Sequence, residues 1–466
     1  MSQIRSSVGV SFDLQIPVLI IGAGACGLTA ALAARDAGAE VLILERDATP
    51  TGSTSLSSGF IPAAATRFQQ QINVDDTAEM LVADLKHKTH GRVDPGFANT
   101  VASASGPAIE WLADAHGLEW IVLDDFLYPG HSRHRMHAVP EKTGAALQAR
   151  LLAAAETAGV NIATRSPVTA LFSRGDGTIQ GVEVTREDGA VETIGCQCLI
   201  LACCGYGGDA ELVRHHIPDM ADALYFGHSG NTGDALKWGE ALGAAVGDLT
   251  GYQGHGSVAH PHGVLMTWAL MMDGGFQVNR DGDRFSNEHE GYSEQAVNVL
   301  AQPDKVAWDI YDQRVHELGM TFPDYVDAHK MGAVRSASSV SELAEICGLP
   351  PRALEDTFSQ IEDHRAGQSD CPFGRDFSGD QKFAGPYYAA KVTGALFHTQ
   401  GGLMVNEEAR VLRTDRSAFP NLFAGGGAAQ GVSGPDVAGY LSGNGLLSAV
   451  TLGYLAGQHA GRQASR

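Results

Sequence analysis

Between Val18 and Glu45 the sequence runs from the apolar VLII through Gly22-Ala23-Gly24-Ala25-Cys26-Gly27 into an alanine-rich stretch, and then into EVLILE. This order predicts a buried parallel strand at 18–21, a helix over 26–37 and a second strand ending at Glu45. Each glycine has its own task in such a unit. Gly22 permits the tight turn, Gly24 lets a pyrophosphate approach the backbone, and Gly27 lets helix and strand pack closely. The helix start near Ala25 presents free N–H groups and the positive dipole end to phosphates. Glu45, 23 residues after Gly22 and next to Arg46, is placed to accept hydrogen bonds from an adenosine ribose. A bare GxGxxG is a weak signal. Strand, helix, second strand and acid in this order make a dinucleotide site. The nineteen residues from Ile16 to Ala34 carry no charge, a length that suggests a membrane anchor. Pro17, Gly22, Gly24 and Gly27 interrupt the run and its pattern changes halfway, so a strand followed by a helix is preferred.

The chain has 466 residues, room for two or three domains. Its 32 basic and 54 acidic residues give a formal charge of −22. Such a surface repels phosphate backbones and anionic lipid heads, which argues against nucleic-acid and membrane partners. Seven cysteines (Cys26, Cys196, Cys198, Cys203, Cys204, Cys347, Cys371) form no CxxC pair. No metal site, covalent haem or iron–sulfur cluster is therefore expected, and scattered thiols of this kind suit a reducing cytoplasm.

FAD is the nucleotide to expect. A flavin enzyme fed by NADPH usually carries a second complete fingerprint. Here Gly205-Tyr206-Gly207 lacks the third glycine, and Gly425-Gly426-Gly427 opens no comparable βαβ unit. A Gly/Ser-rich loop, 52–59, follows the one fingerprint instead. Helical stretches are predicted at 76–88, 95–115 and 143–158, a hairpin at 160–195 turning at Gly175-Asp176-Gly177, and another buried strand at 198–203. After a middle region richer in aromatics and histidine, strand-like runs return, with LFAGGG at 422–427 and a helix over 443–461. The fold class is α/β: a Rossmann-type FAD-binding domain (13–236 and 387–466) with an inserted α+β cap, or substrate, domain (237–386). The tails, 1–12 and 462–466, are expected to be disordered.

On these motifs the chain resembles the fumarate reductase and succinate dehydrogenase flavoproteins. The resemblance rests on the 52–60 loop, on Asn231-Thr232-Gly233-Asp234, on GGFQVNRDGDRFSNE at 274–288, on His398-Thr399-Gln400-Gly401-Gly402 and on residues 421–431. It spans about residue 16 to residue 460 in the family's order. It implies that Gly52, Ser53, Thr54, Ser58, Gly59 and Phe60 wrap the FAD diphosphate and ribityl chain. It also implies that Asp234, Gly426, Gly427, Asn444 and Leu446 hold the rest of the cofactor. An acid that usually grips the ribityl hydroxyls is replaced by Gly427, so that FAD is bound more weakly or the contact is completed by Ser433 or Asp436. No histidine is assignable as a covalent flavin attachment point.

The departures from the family carry the functional information. The proton-delivering arginine, four residues after the Asn-Glu of the 274–288 segment, is Tyr292 here. The carboxylate-clamping arginine, four residues before Asn444, is Tyr440. Phenols replace two bidentate forks, so a tight dicarboxylate site is not expected. The pattern resembles 3-ketosteroid dehydrogenases, which use one tyrosine as base and a second, with a backbone N–H, as an oxyanion hole; without gaps Tyr440 falls one residue from that second tyrosine. His398 and His255 stand where the family's substrate-binding histidines lie, with His260 the alternative to His255. The competing reading, held second, makes either histidine a satisfied polar core residue and either tyrosine a packing residue. Arg133 and Arg135, in the cationic run His131–His137, are candidate anchors for a substrate carboxylate, although a solvated loop explains the run as well.

Three functions follow. The first is an FAD-dependent oxidoreductase that desaturates or reduces a C–C bond next to the carbonyl of a small keto compound. The second is a dehydrogenase of a small polycarboxylate such as tricarballylate, or a fumarate-reductase-like ene-reductase. The third is a flavoprotein without redox catalysis. An external acceptor, whether oxygen, a quinone or a carrier protein, is expected to take the electrons.

Overall fold

The computed structural model describes residues 3–124 and 127–466. The chain divides into two compact units, one made of Met1–Ile217, Gly227–Tyr252 and His398–Arg466, the other of Pro218–Phe226 and Gln253–Phe397. These limits differ from the 237 and 386 read from composition. The helix Asp234–Leu242 buries Trp238 and sets Gly239 directly against Leu403, so it belongs to the first unit although its aromatic content resembles the second. The later limit falls inside the strand Tyr387–Thr399, whose first half is hydrogen-bonded to Val306–Asp312.

The first unit is built on a nine-stranded sheet. Its centre is Leu14–Ile21, whose VLII segment is wholly buried and parallel to both Val41–Leu44 and Val191–Leu201. Runs with no polar position suit a sheet covered on both faces. Asn161–Ala163 extends one side in parallel. On the other, Val191–Leu201 pairs antiparallel with Ile179–Thr185 at its start and parallel with Ala418–Ala424 at its end. The predicted hairpin is Val168–Ser173 with Ile179–Thr185. The helix Ala25–Asp36 follows the central strand and is buried from Ala25 to Ala34, and the long helix Asn444–Ala464 packs along it.

Both tails are ordered where they are described, against expectation. Gln3–Ser6 adds a parallel edge strand to Val168–Ser173, and the last helix continues to Ala464. Residues 1 and 2 of the first tail lie outside the described residues.

The second unit has a seven-stranded sheet, with Val306–Asp312 antiparallel to both Phe276–Val278 and Tyr387–Thr399. Helices such as Pro351–Arg365 cover it, which makes this unit α+β. Among the described residues no helix is long and apolar enough to cross a membrane.

Candidate functional site

The first unit holds a cleft with about 1400 Å³ of free space, counting its open mouth. Its floor is the turn 22–26 between the central strand and the first helix. Gly22 has φ +104°, and a β-carbon there would lie 2.5 Å from the carbonyl oxygen of Ala202. A β-carbon on Gly27 would lie 1.9 Å from the Gly22 carbonyl, so helix and strand meet only because that position is glycine. Above Gly24 the nearest atom to such a carbon is the Thr54 hydroxyl at 3.3 Å, which leaves the backbone open to the cleft.

The polar groups fit FAD. The carboxylate of Glu45 accepts from the backbone N–H of Ala23 and of Asp47, both at 2.9 Å, which aims it along the cleft wall with lone pairs to spare for ribose hydroxyls. The Thr54 hydroxyl accepts from the first helical N–H, that of Ala25, at 2.9 Å. No acid occupies the first turn of that helix, so its positive end faces the phosphate position uncancelled. The Oγ of Ser448 lines the cleft, buried and without a hydrogen-bond partner among the described residues. An orphan of this kind is costly unless a ligand completes it.

Gly22, Gly24, Ala25, Cys26, Glu45 and Arg46 all line the cleft, as do Gly52, Ser53 and Thr54 of the loop. Asp234, Gly426, Gly427 and Leu446 join them from later in the chain. Gly27 lies beneath the turn, and Asn444 is buried behind the wall with its amide donating to Ser433 at 3.0 Å. Three expected cofactor residues point elsewhere. Ser58 is exposed, Gly59 is pressed against the Thr143 carbonyl, and Phe60 packs edge-on against Tyr128. The neighbouring Ser57 lines the cleft in their place. Neither Ser433 nor Asp436 stands in for the missing acid: Ser433 donates to Gln400 at 2.7 Å, and Asp436 pairs with Arg92. Sequence reading missed His228, the 166–168 segment and the Cys203–Cys204 pair. No local pattern marks them, because long-range pairing brings them to the cleft.

At the other end of the cleft lies His398. Burial pushes its imidazole down to about 4, so it is neutral at neutral pH. Gln400 lies 3.0 Å from its Nδ1, and the Tyr440 ring stands edge-on at 5.6 Å. Tyr440 is buried, and burial raises its phenol above the ordinary range, against a smaller opposing pull from the backbone N–H groups of Gly443 and Gly445. It therefore stays protonated and can donate. These groups gather at the start of the helix Asn444–Ala464, where a β-carbon on Gly445 would lie 2.9 Å from the His398 ring. A neutral phenol, a neutral imidazole and a helix N-terminus form a set of donors suited to an oxygen that gains negative charge.

In the second unit His255 is buried and pushed down to about 3, again by desolvation. Its ring stacks on Phe397 at 5.3 Å and on Tyr292 at 5.0 Å, with Trp268 edge-on. Tyr292 opens the helix Tyr292–Leu300 and is half-buried. His260 is exposed and lies apart from this stack, beside Lys391.

Arg135 is displaced from the substrate role expected for it. It is fully buried, with Nε and Nη2 donating to Asp76 at 2.9 and 2.8 Å and Nη1 to Asp84. A guanidinium held by two carboxylates in the core is a structural ion cluster, and freeing it for a ligand would leave those charges uncompensated. Arg133 is exposed and donates to the carbonyl oxygens of Asp75 and Ser132.

Comparison with known proteins places the chain among FAD-binding proteins. Residues 17–446 match the family model described as an FAD binding domain. The probable fumarate reductase Ifc3 of Shewanella frigidimarina is 28% identical over 99% of this chain and 77% of its own length. The 4-oxocyclohexanecarboxylate 2-dehydrogenase of Sinomonas cyclohexanicum is 25% identical over 96% of this chain and 93% of its own. The 3-ketosteroid-Δ4-(5α)-dehydrogenase of Rhodococcus jostii RHA1, solved with 4-androstene-3,17-dione, shares the fold with a TM-score of 0.79 at 24% identity, covering 98% of this chain and 99% of its own. With a family model that covers most of its length and begins at its fingerprint, the chain belongs to the FAD binding domain family, with fumarate reductases among its relatives, and is an FAD-dependent oxidoreductase.

Proposed function

We propose that this enzyme desaturates, or in reverse reduces, a C–C bond next to the carbonyl of a small keto compound. The pairing of Tyr440 with a neutral His398 at the helix start carries the reading. A substrate carboxylate needs a cation. Around His398, which lines the cleft, stand the Tyr440 phenol packed against it and backbone N–H groups, and the imidazole itself carries no charge at neutral pH. A ketone oxygen needs only donors, and gains most from them as an enolate forms beneath it. Accepting from Tyr440, the carbonyl acidifies its α-hydrogen. FAD held in the cleft would supply the hydride chemistry at the carbon β to that carbonyl.

Tyr292 is assigned the proton at the α-carbon, removed in desaturation and returned in reduction. Its neighbour His255 is held neutral, so no positive charge in this stack favours an anionic substrate. A relative named as a dehydrogenase of a cyclic keto acid supports the ketone reading, and the engagement of Arg135 with Asp76 and Asp84 weighs against the polycarboxylate one. With no second nucleotide fingerprint, an oxygen, quinone or protein acceptor is assigned the electrons. Seven free thiols fit a reducing compartment.

A ligand titration tests the reading. A para-substituted phenol, which imitates an enolate, is expected to perturb the flavin spectrum and to bind at least tenfold more weakly to Tyr440→Phe. Saturable perturbation by succinate or tricarballylate, with none by the phenol, would reverse the assignment.

A further inference from the structure

The second unit contains another recess, with about 670 Å³ of free space counting its mouth, in which the fingerprint has no part. Register explains its floor. On the strand Tyr387–Thr399, Ala389 stands opposite Arg335 and Lys391 opposite Trp308. Directly paired residues, and residues two apart, share one face of a sheet, so these four point the same way. Ala389 is small and leaves the floor open. Ile346 and Cys347, at the end of the helix Val340–Cys347, close one wall. The backbone N–H of His260 donates to the Lys391 carbonyl at 2.8 Å, which brings His260 and His262 to the rim.

The chemistry of the lining is one-sided. Arg335, Lys391, His260 and His262 line the recess, and no Asp or Glu does, in a chain whose formal charge is −22. Partial burial, and after it the charges of Lys391 and His262, press the His260 imidazole down. Neither Arg335 nor Lys391 forms an ion pair or a side-chain hydrogen bond among the described residues. The Lys391 ammonium lies 5.5 Å from the centre of the Trp308 ring. The Nδ1 of His262 is buried without a partner among the described residues. Beside these donors lies apolar surface from Trp308, Ile346 and Ala333.

We propose that this recess binds a small organic carboxylate, its head held by Arg335 and Lys391 and its flat apolar body lying against Trp308 and Ile346. A guanidinium fork fits a carboxylate in bidentate fashion. The apolar wall distinguishes such a ligand from inorganic phosphate, which has nothing to place there. The site stands apart from the proposed reaction and survives or fails without it.

The test uses the flavin-loaded full chain and benzoate as probe, with binding followed by calorimetry and by Trp fluorescence while the flavin spectrum is recorded. Benzoate is expected to bind without shifting the flavin band, more weakly as salt rises. Arg335→Ser, Lys391→Ser and the double variant are expected to raise its Kd, at least tenfold in the double, with flavin content and turnover unchanged. Benzamide and inorganic phosphate are expected to bind at least tenfold more weakly than benzoate. Benzoate affinity that is unchanged in the double variant, or equal affinity for benzamide or phosphate, overturns the proposal.

Discussion

Two phenols stand at Tyr292 and Tyr440, where the resemblance to fumarate reductases implies arginines, and the two are set in different surroundings. Tyr440 is buried against a neutral imidazole and two backbone N–H groups, whereas Tyr292 is half-buried in a stack of rings. Removing the Tyr292 hydroxyl is expected to slow flavin reduction by at least a hundredfold, since a placed general base contributes about 10²–10⁴ in rate. The stability cost is about 1 kcal/mol, the worth of one hydrogen bond. Stopped-flow reduction and a melting curve on Tyr292→Phe separate these quantities. A rate within threefold of wild type would make Tyr292 a packing residue. The substitutions to Tyr were readable in the sequence because the motifs around them set the register. The fate of Arg135 was not, because its partners Asp76 and Asp84 lie 59 and 51 residues away and nothing local announces them.

The first helix and the last show how an element depends on a distant one. Gly457 lies so close to Ala25–Asp36 that a β-carbon there would come 2.2 Å from the Ala30 carbonyl. Gly457→Leu is therefore expected to push the two helices apart, at about 1–3 kcal/mol for overpacking. It also moves the turn that receives the phosphates, so FAD content per chain and melting temperature are expected to fall together. Wild-type flavin content in the purified variant would contradict this. The first helix was readable to within a residue, because glycines, alanines and the flanking strands are all local signals. The edge strand Gln3–Ser6 was not, because QIRS has no apolar alternation and forms only through its parallel partner Val168–Ser173. The boundary at 237 cuts through the helix Asp234–Leu242 for the same kind of reason: the contact of Gly239 with Leu403 lies beyond any composition window.

Across the whole molecule, four histidines are held neutral by burial: His131, His137 and His398 at about 4 and His255 at about 3. Their unfolded value is ~6.5. Between those limits the unfolded chain binds more protons than the folded one, so each histidine adds stability that is complete above ~6.5 and is lost as pH falls toward 4. Asp309, pushed up to about 7 by burial, runs the opposite way, as do Asp248 and Asp324, but burial also lowers His216, His260, His289, His316 and His459, so the depressed histidines outnumber the raised carboxyls. The melting temperature is therefore expected to drop from pH 6.5 to pH 4.5, and a flat profile would contradict these assignments. The cofactor half of the site was largely readable, since its fingerprint is contiguous; its far wall was not, since the chain returns there from 166, 203 and 228. What the far end of the cleft accepts is the central question, and anaerobic flavin bleaching answers it most directly. With saturated cyclic ketones the flavin absorbance is expected to bleach in a saturable way, at least a hundredfold slower in Tyr292→Phe and slower again in Tyr440→Phe than in wild type. Bleaching by succinate or tricarballylate instead, with ketones inert, would contradict the account.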